Sequence, residues 1–161
     1  MANSITSRDL SITSTSFGGI FVYDGSTGQV IATGVTPTLL TAFNTAAGSD
    51  GLFYDCTPVK ASSKITVTRA GVYKIAYSFS YAVSVNFVVW EMYAFVNGVQ
   101  VTGTGAMSKN GTAADTQCIS GVGFATVAAN QDVDLRGYHD QGGNVTITPS
   151  HVNFVVMRVG N

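Results

Sequence analysis

Residues 71–81 read GVYKIAYSFSY, and their side chains alternate in size and polarity. Because side chains in a β-strand point to opposite faces with a period of two, one face of this segment is bulky and the other is small and mostly polar. The bulky residues are Tyr73, Ile75, Tyr77, Phe79 and Tyr81. The pattern predicts a strand that buries its bulky face in the core of the chain, against a ligand or against another copy of the chain.

Further short apolar or alternating segments, separated by turn residues, follow along the chain, and none has convincing helical periodicity. Strands are predicted at 17–23, 29–33, 38–47, 51–56, 64–68, 85–97, 99–103, 117–127, 133–139 and 145–159. Residues 17–33 and the turn at Asn97 and Gly98 are interpreted as hairpins, residues 104–116 as an exposed loop, and Pro149 as a kink or an edge position. About ten antiparallel strands predict one all-β sandwich or barrel over 17–161, preceded by an extended arm at 1–16.

The composition limits the classes of partner. Charged residues make up 11% of the 161 residues, against ~25% in typical soluble domains. The net charge of −1 argues against nucleic-acid binding, which needs a basic surface. No run approaches the ~18 apolar residues of a membrane-spanning helix. So few charges favour burial of neutral surface between subunits, and we expect an oligomer.

The first residues, MANSITSRDL, lack the basic-then-apolar order of a secretion signal. We therefore expect the chain to be made and folded in a cytoplasm. Under reducing conditions Cys56 and Cys118 are expected to be buried free thiols rather than a disulfide.

The segment FVVWEMYAFV, residues 87–96, is apolar on both faces apart from Glu91. A strand in an antiparallel sandwich normally has one polar face toward water. This strand is therefore predicted to be covered twice, either by a homotrimer whose three-fold axis lies nearby or by a loop of its own chain. The candidate trimer-interface residues are Tyr73, Tyr77, Phe79, Tyr81, Phe87, Val89, Trp90, Glu91, Tyr93, Phe95 and Phe154.

The carboxylate of Glu91 needs a partner if it is buried, because an unpaired buried charge is costly. Lys74 and Arg136 are candidate partners. The alternative is that Glu91 points to solvent at the rim of an interface.

No residue pattern indicates catalysis. His139 and Asp140 supply at most two metal ligands, so a structural role is favoured for His139 and for His151. Asp132 and Asp134 would share a strand face, where they could hold a cation or act as a carboxylate pair, although Asp132 also suits a turn. The glycine pairs 103/105 and 121/123 precede no helix and are not phosphate loops. We expect no enzymatic activity, no cofactor and no metal.

The order of five segments is similar to that of a known superfamily. The segments are GLFYDC (51–56), ITVTRAGVYKIAYSFSY (65–81), EMYAFVNG (91–98), SGVGFATVAANQDVDLRGY (120–138) and VNFVVMRV (152–159). Together they resemble the trimeric jelly-roll superfamily of tumour necrosis factor and the globular head of complement component one-q. The resemblance covers about two-thirds of the chain, and it implies a jelly-roll β-sandwich that forms a homotrimer.

The chain has no collagen-like stalk, and its few charges and N-terminal arm are similar to those of phage and viral structural proteins of this fold. By this analogy we expect a non-enzymatic capsid decoration (cement) protein that stabilises a phage head, in a virion assembled in the host cytoplasm. The arm would contact the major capsid protein or another virion protein. Its candidate contact residues are Ile5, Arg8, Leu10 and Ile12.

The sequence leaves two alternative functions open. The first is a receptor- or glycan-binding tip of a tail fibre, which would use the loops 104–116 and 137–144 with Tyr138 and His139 as contacts. The second is a secreted or spore-surface ligand of the same superfamily.

Overall fold

The computed structural model describes residues 15–23, 25–32, 36–41 and 48–161. Within these residues the chain forms twelve β-strands and one short 3-10 turn at Lys60–Ser62, and no helix among them is long and apolar enough to cross a membrane. The strands are β1 (Phe17–Val22), β2 (Gln29–Ile31), β3 (Thr38–Leu39), β4 (Gly48–Ser49), β5 (Cys56–Val59), β6 (Lys64–Val67), β7 (Gly71–Val83), β8 (Val89–Val96), β9 (Val99–Lys109), β10 (Gln117–Val127), β11 (Asp132–His139) and β12 (Val145–Gly160).

The strands form two six-stranded sheets, here called sheet A and sheet B. Sheet A has the order β10-β7-β12-β1-β4, with β2 also pairing β12. Sheet B has the order β5-β6-β11-β8-β9, with β3 also pairing β11. Every pairing is antiparallel. The predicted all-β sandwich is confirmed.

Strand β7 lies within sheet A, between the edge strand β10 and β12. Its bulky side chains, from Tyr73 to Tyr81, are buried and point toward sheet B, whereas Lys74, Ala76 and Ser78 lie on the opposite, partly exposed face. The predicted division of this strand into two faces is confirmed, and the bulky face belongs to the core.

The core lies between the two sheets. Buried side chains of sheet A such as Ile20, Ile75 and Phe154 join Trp90 and Leu135 of sheet B in one apolar cluster. Each side chain of this size contributes about 1.5–3 kcal/mol when it is fully buried. The sandwich is thus stabilised mainly by the apolar side chains on the inward faces of its strands, which the alternating sequence pattern identifies.

Two expectations about the first half of the chain are corrected. Strand β2 is not the hairpin partner of β1, because both pair with the long strand β12: β1 at 152–157 and β2 at Val145–Ile147. The predicted strand at 51–56 contributes only Cys56 to β5 and an isolated bridge between Tyr54 and Phe17. Of the predicted strand 38–47, Thr38–Leu39 is a strand, and residues 42–47 lie outside the described part of the chain.

The hairpin between β8 and β9 is confirmed. Asn97 and Gly98 have φ angles of 47° and 81°, and two consecutive positive values are typical of the tight turn that suits the twist of a two-stranded hairpin. The strand after this turn is longer than predicted, since β9 continues to Lys109 and the expected loop 104–116 therefore begins later.

A bulge explains why β9 is hard to recognise from its sequence. The register with β8 shifts between Met92 and Ala94. At this point the buried hydroxyl of Thr104 accepts a hydrogen bond from the Ala94 amide at 2.9 Å and donates one to the Val101 carbonyl at 2.7 Å. A threonine side chain thus satisfies backbone groups that the interrupted ladder leaves free.

The edge strands β9 and β10 meet at glycines. A Cβ atom on Gly121 would lie 2.4 Å from the carbonyl oxygen of Thr104, and one on Gly123 would lie 2.8 Å from the carbonyl oxygen of Gly103. Only glycine allows two backbones to approach so closely. These glycines close one side of the sandwich.

Strand β12 contains a second irregularity, since its pairing with β7 shifts register between Pro149 and His151. Proline has no amide hydrogen to donate to the ladder, so a bulge at this position is expected. The structure places this register shift at Pro149, where a kink or an edge position was predicted.

Candidate subunit interface

The outer face of sheet A, which points away from the core, carries an apolar patch. Cross-strand pairing aligns the outward side chains of β10, β7, β12 and β1 in rows. The first row is Phe124, Lys74, Met157 and Phe17, and the second is Val122, Ala76, Val155 and Gly19. Lys74 is the one charged side chain in these two rows.

Large side chains in this patch are open to solvent. Phe124 is 62% exposed, Val122 54% and Met157 40%. Single exposed apolar residues are common on protein surfaces, but contiguous ones mark interaction surfaces. The outer face of sheet A therefore has the character of a surface that a protein partner covers.

The segment after β4 extends the patch beyond the sheet. Leu52 is 84% exposed and Phe53 54%. Tyr54 and Phe17 exchange two backbone hydrogen bonds of 2.8 and 2.9 Å, which fix this segment beside β1. Gly51 has a φ of 63°, and a Cβ atom there would lie 2.4 Å from the ring of Phe21. Glycine is thus needed to place the apolar segment against the sheet.

A groove of about 370 Å³ lies between this segment and the sheet. Its walls include Phe17, Phe21, Leu52, Val155 and Met157, and its only charged lining residue among those described is Lys74. The groove and the two rows form one surface, here called the sheet A patch.

The other end of the same face is polar. The next two rows carry Ser78, Ser80, Ser120, Cys118 and His151, all small or polar side chains. Cys118 is exposed, and its Sγ lies 3.8 Å from the hydroxyl oxygen of Ser78. Cys56 is buried, so both cysteines are free as predicted but only one of them is buried.

Six of the predicted interface residues lie in the core instead. Their side chains are at most 4% exposed, which leaves no surface for a partner. They are Tyr73, Tyr77, Phe79, Tyr81, Trp90 and Phe154. The prediction recognised a buried face correctly but assigned it to the interface as well as to the core.

The remaining predicted interface residues belong to sheet B or its loops. Val89, Glu91 and Tyr93 are half-buried on the outer face of β8. Phe95 is 7% exposed and lies under the guanidinium of Arg136, 4.6 Å from its ring centre. Phe87 is 63% exposed in the loop before β8, with a φ of 58°.

Glu91 is held by neutral hydroxyls. Its Oε2 accepts hydrogen bonds from Tyr93 at 2.9 Å and from Tyr138 at 2.5 Å, and the two tyrosine rings stack with their planes 6° apart. The proposed partners Lys74 and Arg136 are incorrect, because Lys74 lies on the opposite sheet and Arg136 pairs with Asp134. The second face of β8 is therefore largely covered by side chains of its own sheet.

The other chemically notable residues have structural partners. His139 is buried against Trp90, lies 3.1 Å from the Ile31 carbonyl oxygen through Nε2, and accepts the Gln141 amide through Nδ1. It is not a surface contact, whereas Tyr138 lies on the outer face of sheet B. Asp132 pairs with Lys64 and Asp134 with Arg136, so the two carboxylates do not act together.

Among the described residues, no group of three or more histidine, cysteine, aspartate or glutamate side chains is placed to hold a metal ion. The arm candidates Ile5, Arg8, Leu10 and Ile12 lie outside the described part of the chain.

Sequence reasoning missed the sheet A patch because its large residues are scattered among small ones in the sequence. Val122 and Phe124 stand alone in a strand of glycine, serine and alanine, and Met157 belongs to a run that is apolar throughout. The alternation of large and small residues indicates an outward face on each strand. Only the strand order shows that these outward faces lie side by side.

No protein-family model matches the chain, and a search of curated proteins finds no match. Solved structures do match its fold. The Eiger TNF of S. frugiperda is 10% identical, with 91% of this chain and 94% of that chain covered and a TM-score of 0.56. Murine APRIL at pH 5.0 is 9% identical, with 90% and 99% covered and a TM-score of 0.56.

The globular domain of zebrafish complement 1qA is 13% identical, with 91% and 99% covered and a TM-score of 0.51. Identities this low carry an argument about fold alone. The chain is an all-β jelly roll that resembles tumour-necrosis-factor and complement one-q globular domains.

Proposed function

We propose that the protein is a non-enzymatic structural protein that assembles as a homotrimer through the sheet A patch. The observation that carries this proposal is the contiguous exposed apolar surface of Phe124, Val122, Met157 and Leu52. The low content of charged residues, 11% of the chain, supports it as well. A closed assembly of identical chains covers such a surface completely.

The number of subunits rests on the resemblance to trimeric jelly rolls. Each large apolar side chain that becomes covered on assembly would contribute about 1.5–3 kcal/mol. The polar end of the sheet A face, with Ser78 and Ser120, would tolerate water at the rim of the interface.

Mass measurement by light scattering tests the assembly. We expect three times the 16.8 kDa of one chain. Phe124→Asp should yield monomers, because it places a carboxylate in the covered patch. Val99→Asp is the matched control, since Val99 is 69% exposed at the tip of the β8–β9 hairpin. A monomeric wild type, or a Phe124→Asp variant that remains trimeric, would contradict the proposal.

The role proposed for this trimer is capsid decoration, in which it stabilises a phage head as part of the virion. The partner is the major capsid protein or another virion protein, contacted by the N-terminal arm, with no nucleic acid or membrane involved. The scarcity of charge and the analogy with viral structural proteins of this fold support this role.

Removal of residues 2–14 tests the arm. This deletion spares Ser16, which is buried and whose carbonyl accepts the Arg158 amide at 2.7 Å. The shortened chain should keep its mass in light scattering but no longer co-sediment with capsids that lack the protein. Co-sedimentation equal to that of the full chain would show that the arm is not the capsid contact.

A second candidate function, recognition of a receptor or glycan by a fibre tip, is favoured by Phe87. Three loops meet at this end: the Val88 amide donates to Asn110 Oδ1 at 2.6 Å, and the Val89 amide donates to Asp140 Oδ1 at 2.9 Å. They hold an exposed aromatic ring on a left-handed backbone, beside polar side chains. Phe87→Ala particles that stay intact but lose adsorption to host cells would favour this function over decoration.

A further inference from the structure

The carboxylate of Glu91 has one oxygen in use and one free. Both tyrosine hydroxyls donate to Oε2, and no described residue donates a hydrogen bond to Oε1. The hydrogen bond to Glu91 raises the pKa of Tyr93 and of Tyr138, which keeps both hydroxyls neutral and able to donate. The site therefore presents a carboxylate with one acceptor oxygen that no described residue uses.

No described lysine or arginine forms an ion pair with this carboxylate; Lys109, on the neighbouring strand β9, aligns with Val89. The nearest basic residue on the facing strand, Arg136, donates two hydrogen bonds to Asp134, at 2.8 and 3.0 Å. Lys64, also on the outer face of sheet B, pairs with Asp132. The carboxylate thus has two neutral hydroxyl donors and stays open to a cationic partner on its exposed side.

Glu91 lines a groove of about 240 Å³ on the outer face of sheet B, here called the Glu91 groove. Its other walls are Tyr93, Thr102, Gly105, Ala106 and Met107. A Cβ atom on Gly105 would lie 2.4 Å from the Tyr93 ring, so the glycine lets this ring lie flat against β9. Met107 is 65% exposed at the mouth of the groove.

We infer that the Glu91 groove binds a lysine side chain presented by a partner protein. The free Oε1 offers one anionic acceptor to the ammonium, and Met107 contacts the aliphatic stem. An arginine is a poorer fit, because its planar fork binds a carboxylate through both oxygens and Oε2 is already occupied. The face lies opposite the sheet A patch, so it stays accessible in the proposed homotrimer.

Methionine-methyl NMR of the full chain tests this inference. The probe is Nα-acetyl-lysine methylamide, and its neutral counterpart Nα-acetyl-norleucine methylamide has nearly the same shape. We expect the Met107 methyl signal, assigned with Met107→Leu, to move on addition of the lysine probe and not of the norleucine probe. The signal of Met92, which is fully buried, serves as the internal reference.

Glu91→Gln keeps the size of the side chain and removes its charge, and it should weaken binding of the lysine probe about 3- to 5-fold. Asp115→Asn is the matched control, because it removes one negative charge from an exposed residue outside the groove and should leave binding unchanged.

Three results would overturn the inference: no movement of the Met107 signal with the lysine probe, equal movement with both probes, or unchanged binding in Glu91→Gln. The comparison of the two probes uses only the wild-type chain, so it tests lysine binding by the Glu91 groove even if Glu91→Gln does not fold.

Discussion

The hydroxyl of Tyr77 lies 2.8 Å from the carbonyl oxygen of Thr104. Tyr77 belongs to β7 of sheet A, whereas Thr104 lies at the bulge of β9 on the edge of sheet B. The same hydroxyl lies 2.8 Å from the carbonyl oxygen of Met92. The Tyr77 hydroxyl is therefore a hydrogen-bond donor for backbone carbonyl groups of the opposite sheet, at the place where the β8–β9 ladder is interrupted.

Tyr77→Phe should lower the free energy of unfolding by about 1–3 kcal/mol, because it removes the one hydroxyl proton that the buried Thr104 and Met92 carbonyl oxygens share. Urea denaturation of the two proteins measures the difference. Tyr23→Phe is the control, since Tyr23 is 61% exposed. Equal midpoints for the two variants would show that the Tyr77 hydroxyl does not join the sheets.

Gly121→Ala should destabilise the fold by about 1–3 kcal/mol, because its Cβ would lie 2.4 Å from the Thr104 carbonyl oxygen and the backbones would have to separate. Gly103→Ala is the matched control on the facing strand, where a Cβ would have no neighbour within 4 Å. Thermal unfolding followed by circular dichroism compares them. A Gly103→Ala variant that is as unstable as Gly121→Ala would rule out the close approach as the cause.

Lys74→Met should strengthen self-association. In the first row Lys74 lies between Phe124 and Met157, so assembly through the sheet A patch removes water from its ammonium group. Sedimentation equilibrium should show dissociation at a lower protein concentration than for the wild type. Lys109→Met, which removes a lysine from sheet B, should leave association unchanged. Weaker association of Lys74→Met would mean that the ammonium has an ionic partner in the assembly.

Asp132 should contribute a small acid-dependent part of the stability. Although partial burial opposes it, hydrogen bonds from Lys64 and Thr66 hold the pKa of Asp132 below its usual range. The unfolded chain therefore takes up this proton first, and the stabilisation present above pH ~4 is lost as the pH falls further. Because both side chains of the Lys64 pair are about one-third exposed, the contribution is below about 1 kcal/mol.

Urea denaturation of Asp132→Asn between neutral pH and pH ~3 should show a shallower loss of stability than the wild type. Asp115→Asn, in an exposed loop, should follow the wild-type curve. Parallel curves for Asp132→Asn and the wild type would exclude the proposed coupling.

The two thiols should differ in reactivity. Burial, helped by the charge of Asp55, raises the pKa of the Cys56 thiol to about 11, whereas Cys118 is exposed. A thiol must ionise to react, so Ellman's reagent should modify Cys118 in the native protein and Cys56 only after denaturation. Cys118→Ser should abolish the native reaction, and a residual fast reaction would show that Cys56 is accessible. If the proposed homotrimer covers Cys118 as well, its reaction should quicken on dilution.

Local features of the fold could be predicted from the sequence, and long-range ones could not. The two faces of β7 and the turn at Asn97 and Gly98 depend on neighbouring residues, and both are confirmed. The partner of β2 is β12, more than a hundred residues away, and the Thr104 carbonyl at the bulge lies beside the Tyr77 hydroxyl of the other sheet. Hydrophobic alternation contains no information about either pairing.

The outer face of β8, in sheet B, was included in the predicted interface for a related reason. Counting Tyr93 as apolar made the outer face of β8 look like a surface in need of a cover. Its hydroxyl in fact joins Tyr138 at Glu91 and makes that face partly polar. The sheet A patch becomes visible only when Phe124, Met157 and Phe17 are aligned by the strand order.

The glycine contact between β9 and β10 also bears on how the protein behaves at high concentration. An outer strand normally exposes a row of amide and carbonyl groups to which a strand from another molecule can add, and repeated addition leads to fibres. Here the outer strands of both sheets press their backbones against each other, at Gly121 and Gly123. At high concentration, molecules can therefore contact one another through the faces of their sheets without adding strands to each other at this edge.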